Sequence, residues 1–341
     1  MSTYQIGTTF RSTSQWAKNE QNLIENIKAQ IEQSFSESNN LLINTTWFGP
    51  QFTNSDYFRL NEFVGKIDNL FFLASVDPVM LNSQQLNDIS TMLLVKKTYC
   101  LGNFDGQYQF NFISTVLPMY FQQYSNDELL LREPTWTFLN YNRKPREHRI
   151  KLVEKIIDCN LYTHGKISLG KNNPTYAKNS NPHLVVDQDP DYTQIGNWEM
   201  DDSFGIAHDI HTLGNMHIWQ NHFLTVVSET EFNSWDNMFI TEKTWKPIIG
   251  LRPFIINGQT KIYSWLEQQG FKTFTKYFAG IELENSEVHD YIISVLKYLV
   301  SLDSKEILEI YNSMLPDLVH NQYRFFEFAQ KHRYRIENLF V

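Results

Sequence analysis

The chain has 341 residues, a formal net charge of −9, and is 42% hydrophobic and 15% aromatic. That length allows two domains of ordinary size, and that much apolar and aromatic surface excludes a disordered chain. The acidic balance weighs against a chain-wide nucleic-acid surface, though not against a local basic groove, and no apolar run approaches the length that spans a bilayer.

Residues 1–7 lack the basic start and apolar stretch of a signal peptide, so the expectation is a cytoplasmic chain with no membrane span. Cys100 and Cys159 suggest neither a disulfide framework nor a cysteine zinc site, and read as small buried apolar residues.

In chain order, residues 16–35 predict a helix, with Leu23, Ile24, Ile27 and Ile31 on one face. Residues 41–48 predict a strand ending at Gly49-Pro50, and 69–75 a strong strand ending at Val76-Asp-Pro78. A helix over 83–92 and a short strand over 98–101 follow. Residues 110–124 are aromatic-rich and partly helical, with Pro118 as a break.

A second block begins near residue 134. Residues 135–141 read as a strand, and Pro145 opens a helix carrying Ile150, Val153, Ile156 and Ile157 at helical spacing. Residues 165–169 form a further strand, and 170–200 a long irregular stretch rich in Asn, Pro and Asp. Strand, helix and strand return over 222–268, and the tail from 286 is helical with a break at Pro316. The two alternating blocks define an α/β class: two domains facing each other across a cleft. The boundaries fall at 1–130 and 131–315, with a final helix over 316–341.

Chemistry concentrates in two segments. In the first, Asn140-Tyr-Asn-Arg-Lys-Pro-Arg-Glu-His-Arg149 follows a strand and opens a helix. Arg143, Arg146 and Arg149 are three apart, so some share a helix side. Basic groups there oppose the helix dipole, a conflict that a bound phosphate resolves. The bland alternative is a solvated basic helix paired with Glu147 and Glu154.

The second segment is Val227-Ser-Glu-Thr230, a loop, Thr241-Glu-Lys-Thr-Trp-Lys-Pro247, and a Pro253-Phe-Ile-Ile256 run suited to an interior parallel strand. Thr241 is placed to cap a helix that Gly250 stops, and such a helix start suits an anion. The bland reading is an ordinary surface helix with a charged first turn.

This second segment, over roughly 222–258, resembles the donor-binding signature of the α-1,3-fucosyltransferase-like glycosyltransferases. Those carry a Phe-Glu-Asn element, a short loop, a Thr-Glu-Lys helix start and a strand. Thr230 stands where Asn is usual, and Trp245-Lys-Pro247 replaces a more acidic helix. The resemblance implies the GT-B arrangement of two Rossmann-like domains, the second binding a nucleotide-sugar donor, with the last helix packing back on the first. It implies inverting, metal-independent transfer of a sugar to a hydroxyl acceptor, with no cofactor. Donor contacts would come from Asn140, Arg143 or Arg146, Arg149, Ser228, Thr230, Thr241, Glu242, Lys243 and Lys246, with Glu242 on the ribose hydroxyls. Glu229 would face the sugar or its ring charge; otherwise it is a surface carboxylate.

The acceptor hydroxyl needs a general base, for which Asp77 is first choice, ahead of Asp105 and Glu62. A turn Asp before Pro is often purely structural, and that is the plainer reading of Asp77. Asp187-Gln-Asp189 after an apolar run is a candidate Mn²⁺ or Mg²⁺ motif, with a solvated turn as the plainer reading. A calcium loop is ruled out by Tyr192 and Trp198 where Gly and Glu are required. His208 and His211 make no recognisable metal spacing. Two other readings stand: a phage-type enzyme that glycosylates DNA bases, and a non-catalytic protein that binds nucleotides or glycans. In the last, Trp47, Trp136, Trp198 and Trp219 are candidates to stack on sugars.

Overall fold

The computed structural model describes residues 2–6, 15–45, 58–74, 83–101, 103–104, 107–108, 121, 124–142, 146–169, 213–230, 232, 240–281, 283 and 287–337. The chain is mixed α/β, with parallel sheets, and divides into two compact units. The first comprises Met1–Pro118, Ser234–Phe239 and Glu327–Val341; the second comprises Met119–Asn233 and Ile240–Phe326. The division therefore falls at Pro118 rather than near 130, and the end of the chain is grouped with the first unit.

The first unit holds a parallel sheet of β1 (Ser2–Ile6), β2 (Asn40–Thr45), β3 (Asn69–Ala74) and β4 (Lys97–Leu101), in that spatial order. Helices α1 (Gln15–Ser34) and α2 (Ser83–Leu93) connect successive strands, as parallel pairing requires. Ile27 and Ile31, two of the apolar positions expected on one face of α1, have no exposed surface. The core joins Leu41, Ile43, Leu70 and Phe72 to Leu86, Ile89 and Leu93 of α2. Burying each such side chain contributes roughly 1.5–3 kcal/mol. A short antiparallel pair, β5 (Asn103–Phe104) with β6 (Gln107–Tyr108), follows β4.

The second unit begins with the single turn α3 (Asn126–Leu129), then β7 (Trp136–Asn142), α4 (Glu147–Asp158) and β8 (Gly165–Leu169). Next come α5 (Met216–Asn221), β9 (His222–Ser228), α6 (Glu242–Ile249), β10 (Phe254–Asn257) and α7 (Lys261–Gln268). Helices α8 (Val288–Val300) and α9 (Ser304–Glu337) follow, the stretch of α9 from Glu327 being grouped with the first unit. The four strands are parallel, in the order β10-β9-β7-β8.

Two expectations change. β10 is parallel and, because α4, α6 and α8 all contact it, fully buried, but it is the outermost described strand rather than an interior one. Helix α9 runs through Pro316 without a break. Pro316 is exposed, so water can bond the carbonyl that loses its partner, while the buried neighbours Tyr311, Met314 and Leu318 hold the helix in place. Gly250 does end α6, but at φ −85 it is not the left-handed residue; Leu251 is, at φ 53. A Cβ on Gly250 would lie 2.3 Å from the Trp219 ring, so glycine is required there by close packing. Among the described residues, no helix is long and apolar enough to cross a membrane.

Candidate functional site

The order of the second sheet locates the site. The chain steps from β7 to β8 on one side, then returns to place β9 and β10 on the other. Strand order thus reverses between β7 and β9, and open parallel sheets bind ligands beyond the carboxyl ends of their strands at such a reversal. Those ends carry Asn140 and Asn142 on β7, and Ser228, Glu229 and Thr230 at the exit of β9.

A buried amide network ties these ends together. Asn140 Nδ2 donates to the Val226 carbonyl at 2.7 Å and to Ser228 Oγ at 3.2 Å. Asn142 Nδ2 donates to Asn140 Oδ1 at 2.6 Å, and Asn257 Nδ2, at the end of β10, donates to Ser228 Oγ at 3.3 Å. Asn140, Asn142 and Asn257 have no exposed surface and Ser228 has 2%. Asn140 and Ser228, expected to contact a donor, are committed here to holding three strand ends in register.

The first turn of α4 grips the chain as it leaves β9. Arg146 donates to the Thr230 carbonyl. Arg149 Nη2 donates to the carbonyls of Ser228, at 3.2 Å, and Glu229, at 3.0 Å. His148 Nε2 lies 2.9 Å from the same Glu229 carbonyl and therefore carries the proton, since a carbonyl can only accept. The conflict between basic side chains and the helix dipole is met here by main-chain carbonyls. Arg149 is only 3% exposed, so the expected phosphate contact from it gives way to a structural one. Arg146 is half-buried at the rim. The His148 ring stacks on Phe232 at 5.2 Å, and Phe232 stacks in turn on His289 of α8 at 5.1 Å. Burial, with Arg149 and Arg146 nearby, pushes the His148 pKa down to about 3, so the ring is neutral. Arg143 lies outside the described residues.

Helix α6 starts as its sequence predicts. Thr241 is the N-cap, its Oγ1 accepting from the Lys243 N–H at 3.3 Å. Trp245, with no exposed surface, anchors the helix against Trp265, Phe271 and Phe325. This accounts for the apolar residue where the resembling enzymes are more acidic.

Glu229 departs from expectation. It neither faces open space nor lies on a surface loop: it has no exposed area and accepts four hydrogen bonds. Oε1 receives the Thr241 N–H at 3.0 Å and the Thr244 hydroxyl at 2.6 Å. Oε2 receives the Thr241 hydroxyl at 2.6 Å and the Thr230 N–H at 3.2 Å. The acceptor capacity of the carboxylate is used up. An internal carboxylate thus occupies the start of α6, where a ligand anion was expected.

Lys243 is a further cation here, its side chain 30% exposed. Its Nζ contacts Glu242 Oε1 at 2.7 Å, Thr241 Oγ1 at 3.3 Å and Thr230 Oγ1 at 3.5 Å. Burial raises the Glu242 pKa, but Lys243 and Lys246 outweigh it and hold the carboxyl below its ordinary value. Thr230 is therefore bracketed by two cations, Arg146 on its carbonyl and Lys243 at its hydroxyl. A partly exposed point of this kind attracts an anion, and the Thr230 hydroxyl, which accepts from Lys243, keeps its own proton to orient it.

Asp77, Asp105, Asp187, Asp189, His208, His211, Trp47 and Trp198 lie outside the described residues. Glu62 is exposed, within a short 3₁₀ turn (Asn61–Phe63) of the first unit. Trp136 is engaged by Lys166, 4.8 Å from the ring centre, and by the His217 edge, and Trp219 is buried with its Nε1 on the Gly250 carbonyl. Neither presents an open face for a sugar. Among the described residues, no group of three or more His, Cys, Asp or Glu could hold a metal ion. Sequence reasoning missed Asn142, His148, Thr244 and Asn257 as members of this cluster. No family model, curated protein or solved structure matches the chain.

Proposed function

We propose that the chain is a glycosyltransferase that moves a sugar from a nucleotide-sugar donor to a hydroxyl acceptor, with inversion and with charge supplied by its own cations. One observation carries the reading. The Arg146 segment and the Thr241-Glu-Lys243 segment, far apart in sequence, meet on Thr230 at the carboxyl ends of β7 and β9. Two segments that the fucosyltransferase-like resemblance assigns to one donor site thus share one residue. In sugar transfer, negative charge grows on the leaving pyrophosphate, and preplaced cations stabilise it. Lys243 and Arg146 fill that role, with Lys246 adding charge near Glu242. The finer picture belongs to the same proposal: two Rossmann-like domains across a cleft, with Asp77 as base.

The test is thermal stabilisation of the full chain by GDP, UDP, ADP, CMP and their sugar conjugates, with and without Mn²⁺. A ligand at a hundred times its dissociation constant adds about 2.7 kcal/mol to stability. Selective stabilisation by one nucleotide without Mn²⁺, lost in Lys243→Ala, is the expected result. Stabilisation only with Mn²⁺ would move the phosphate site to Asp187 and Asp189. No response to any nucleotide would overturn the reading. Binding without turnover of the sugar conjugate would favour a non-catalytic binding protein.

A further inference from the structure

We infer that Glu229 is a positioning residue that sets where the Lys243 ammonium is presented; the inference rests on Lys243 being a donor-phosphate contact. Glu229 is fully buried, so it touches no ligand itself. It acts through two threonines. The Thr241 hydroxyl has one proton and two lone pairs. The proton goes to Glu229 Oε2 at 2.6 Å, which leaves the lone pairs for the Lys243 N–H and Nζ, both at 3.3 Å. Without a buried acceptor, that hydroxyl is free to turn its proton toward the ammonium and repel it.

The second threonine is held by the same carboxylate. The Thr230 N–H donates to Glu229 Oε2 at 3.2 Å, and its Oγ1 stands 3.5 Å from Lys243 Nζ. Both threonines flanking the ammonium are therefore held by one side chain, Thr241 through its hydroxyl and N–H and Thr230 through its N–H. Thr244 fixes the other carboxylate oxygen at 2.6 Å. The chain after β10 closes over this cluster: a Cβ on Gly258 would lie 3.1 Å from the Glu229 Cβ. The carboxylate is thus held on several sides, as a group that transmits position must be.

Thr244 provides a clean probe, because its hydroxyl bonds Glu229 and its side chain makes no hydrogen bond to Lys243. In the full chain with ¹³C-methylated lysines, the Lys243 methyl signal is assigned by its loss in Lys243→Arg. Thr244→Val and Glu229→Gln should each move that signal. Both should also weaken binding of the nucleotide that stabilises the wild type, on the order of tenfold, the scale of one misplaced charge-assisted hydrogen bond. Thr244→Ser should restore both. A purely structural role would lower stability and leave the signal in place. An unmoved Lys243 signal in folded Thr244→Val overturns the inference, even if Glu229→Gln fails to fold. Because the signal is read without ligand, failure of any nucleotide to bind would sink the donor-site reading without obscuring this result.

Discussion

At the residue scale, this chain repeatedly pairs buried cations with carbonyls instead of carboxylates. Arg252 has no exposed surface, and burial pushes its pKa down to about 10, so it stays charged at neutral pH. Its Nε and Nη2 donate to the Trp219 carbonyl at 3.1 and 2.7 Å, and its Nη1 to the carbonyls of Leu129, at 2.6 Å, and Leu251, at 2.9 Å. Tyr311 and Trp219 lie alongside, with ring centres 5.5 and 6.0 Å from the guanidinium carbon. One side chain thereby joins the ends of α3 and α5, the entry to β10, and α9. Arg252→Met keeps the bulk and removes every donor. Each buried carbonyl left unpaired costs roughly 1–3 kcal/mol. The variant should therefore lose about 3 kcal/mol or more, read as a lower urea midpoint. A shift under about 1 kcal/mol would mean that these carbonyls find other partners.

At the element scale, Pro316 gives a prediction of opposite sign. It sits exposed inside α9, where proline removes one helical hydrogen bond. Pro316→Ala restores that donor at some cost in unfolded-chain entropy, so a net gain of about 1–2 kcal/mol is expected in urea unfolding. A loss would show that proline sets a bend the unit requires. The same tension between local rule and tertiary packing explains what could be read in advance. Strands β3, β7, β8 and β9 and helices α1, α4 and α6 were legible, because their apolar runs and caps are local signals. The break at Pro316 was a local rule overridden by burial on either side. The clustering of Asn140, Ser228, Thr241 and Lys243 was legible through resemblance, but the direction each side chain takes was not. Glu229 looks like any strand-end carboxylate until Thr241 and Thr244 are folded over it. His148 and Arg149 did leave a signal. Carried back one turn, the stripe through Leu152, Val153 and Ile156 falls on these two residues, which predicts burial rather than phosphate contact.

At the scale of the whole molecule, buried histidines make stability depend on pH. His148 and His222 both have pKa values pushed down from 6.5 to about 3, chiefly by burial, with Arg149 acting on the first and Arg252 on the second. His222 has no exposed surface, its Nδ1 facing the Ile218 carbonyl and its Nε2 facing Thr225 Oγ1. Above pH 6.5 both rings are neutral whether the chain is folded or unfolded, and stability is complete. As pH falls below 6.5, the unfolded chain takes up protons that the folded chain refuses, so stability falls. Each histidine contributes a slope of about 1.4 kcal/mol per pH unit, about 2.7 together, down toward the folded values near pH 3. Urea midpoints at pH 7, 6 and 5 read this before most carboxylates titrate. His148→Gln should remove roughly half the slope, because its amide can still donate to the Glu229 carbonyl without taking up a proton. Unchanged midpoints from pH 7 to 5 would mean that these rings protonate in the folded state. Their protonation would then cost the fold nothing, since the His148 Nε2–H donates to the Glu229 carbonyl in either charge state.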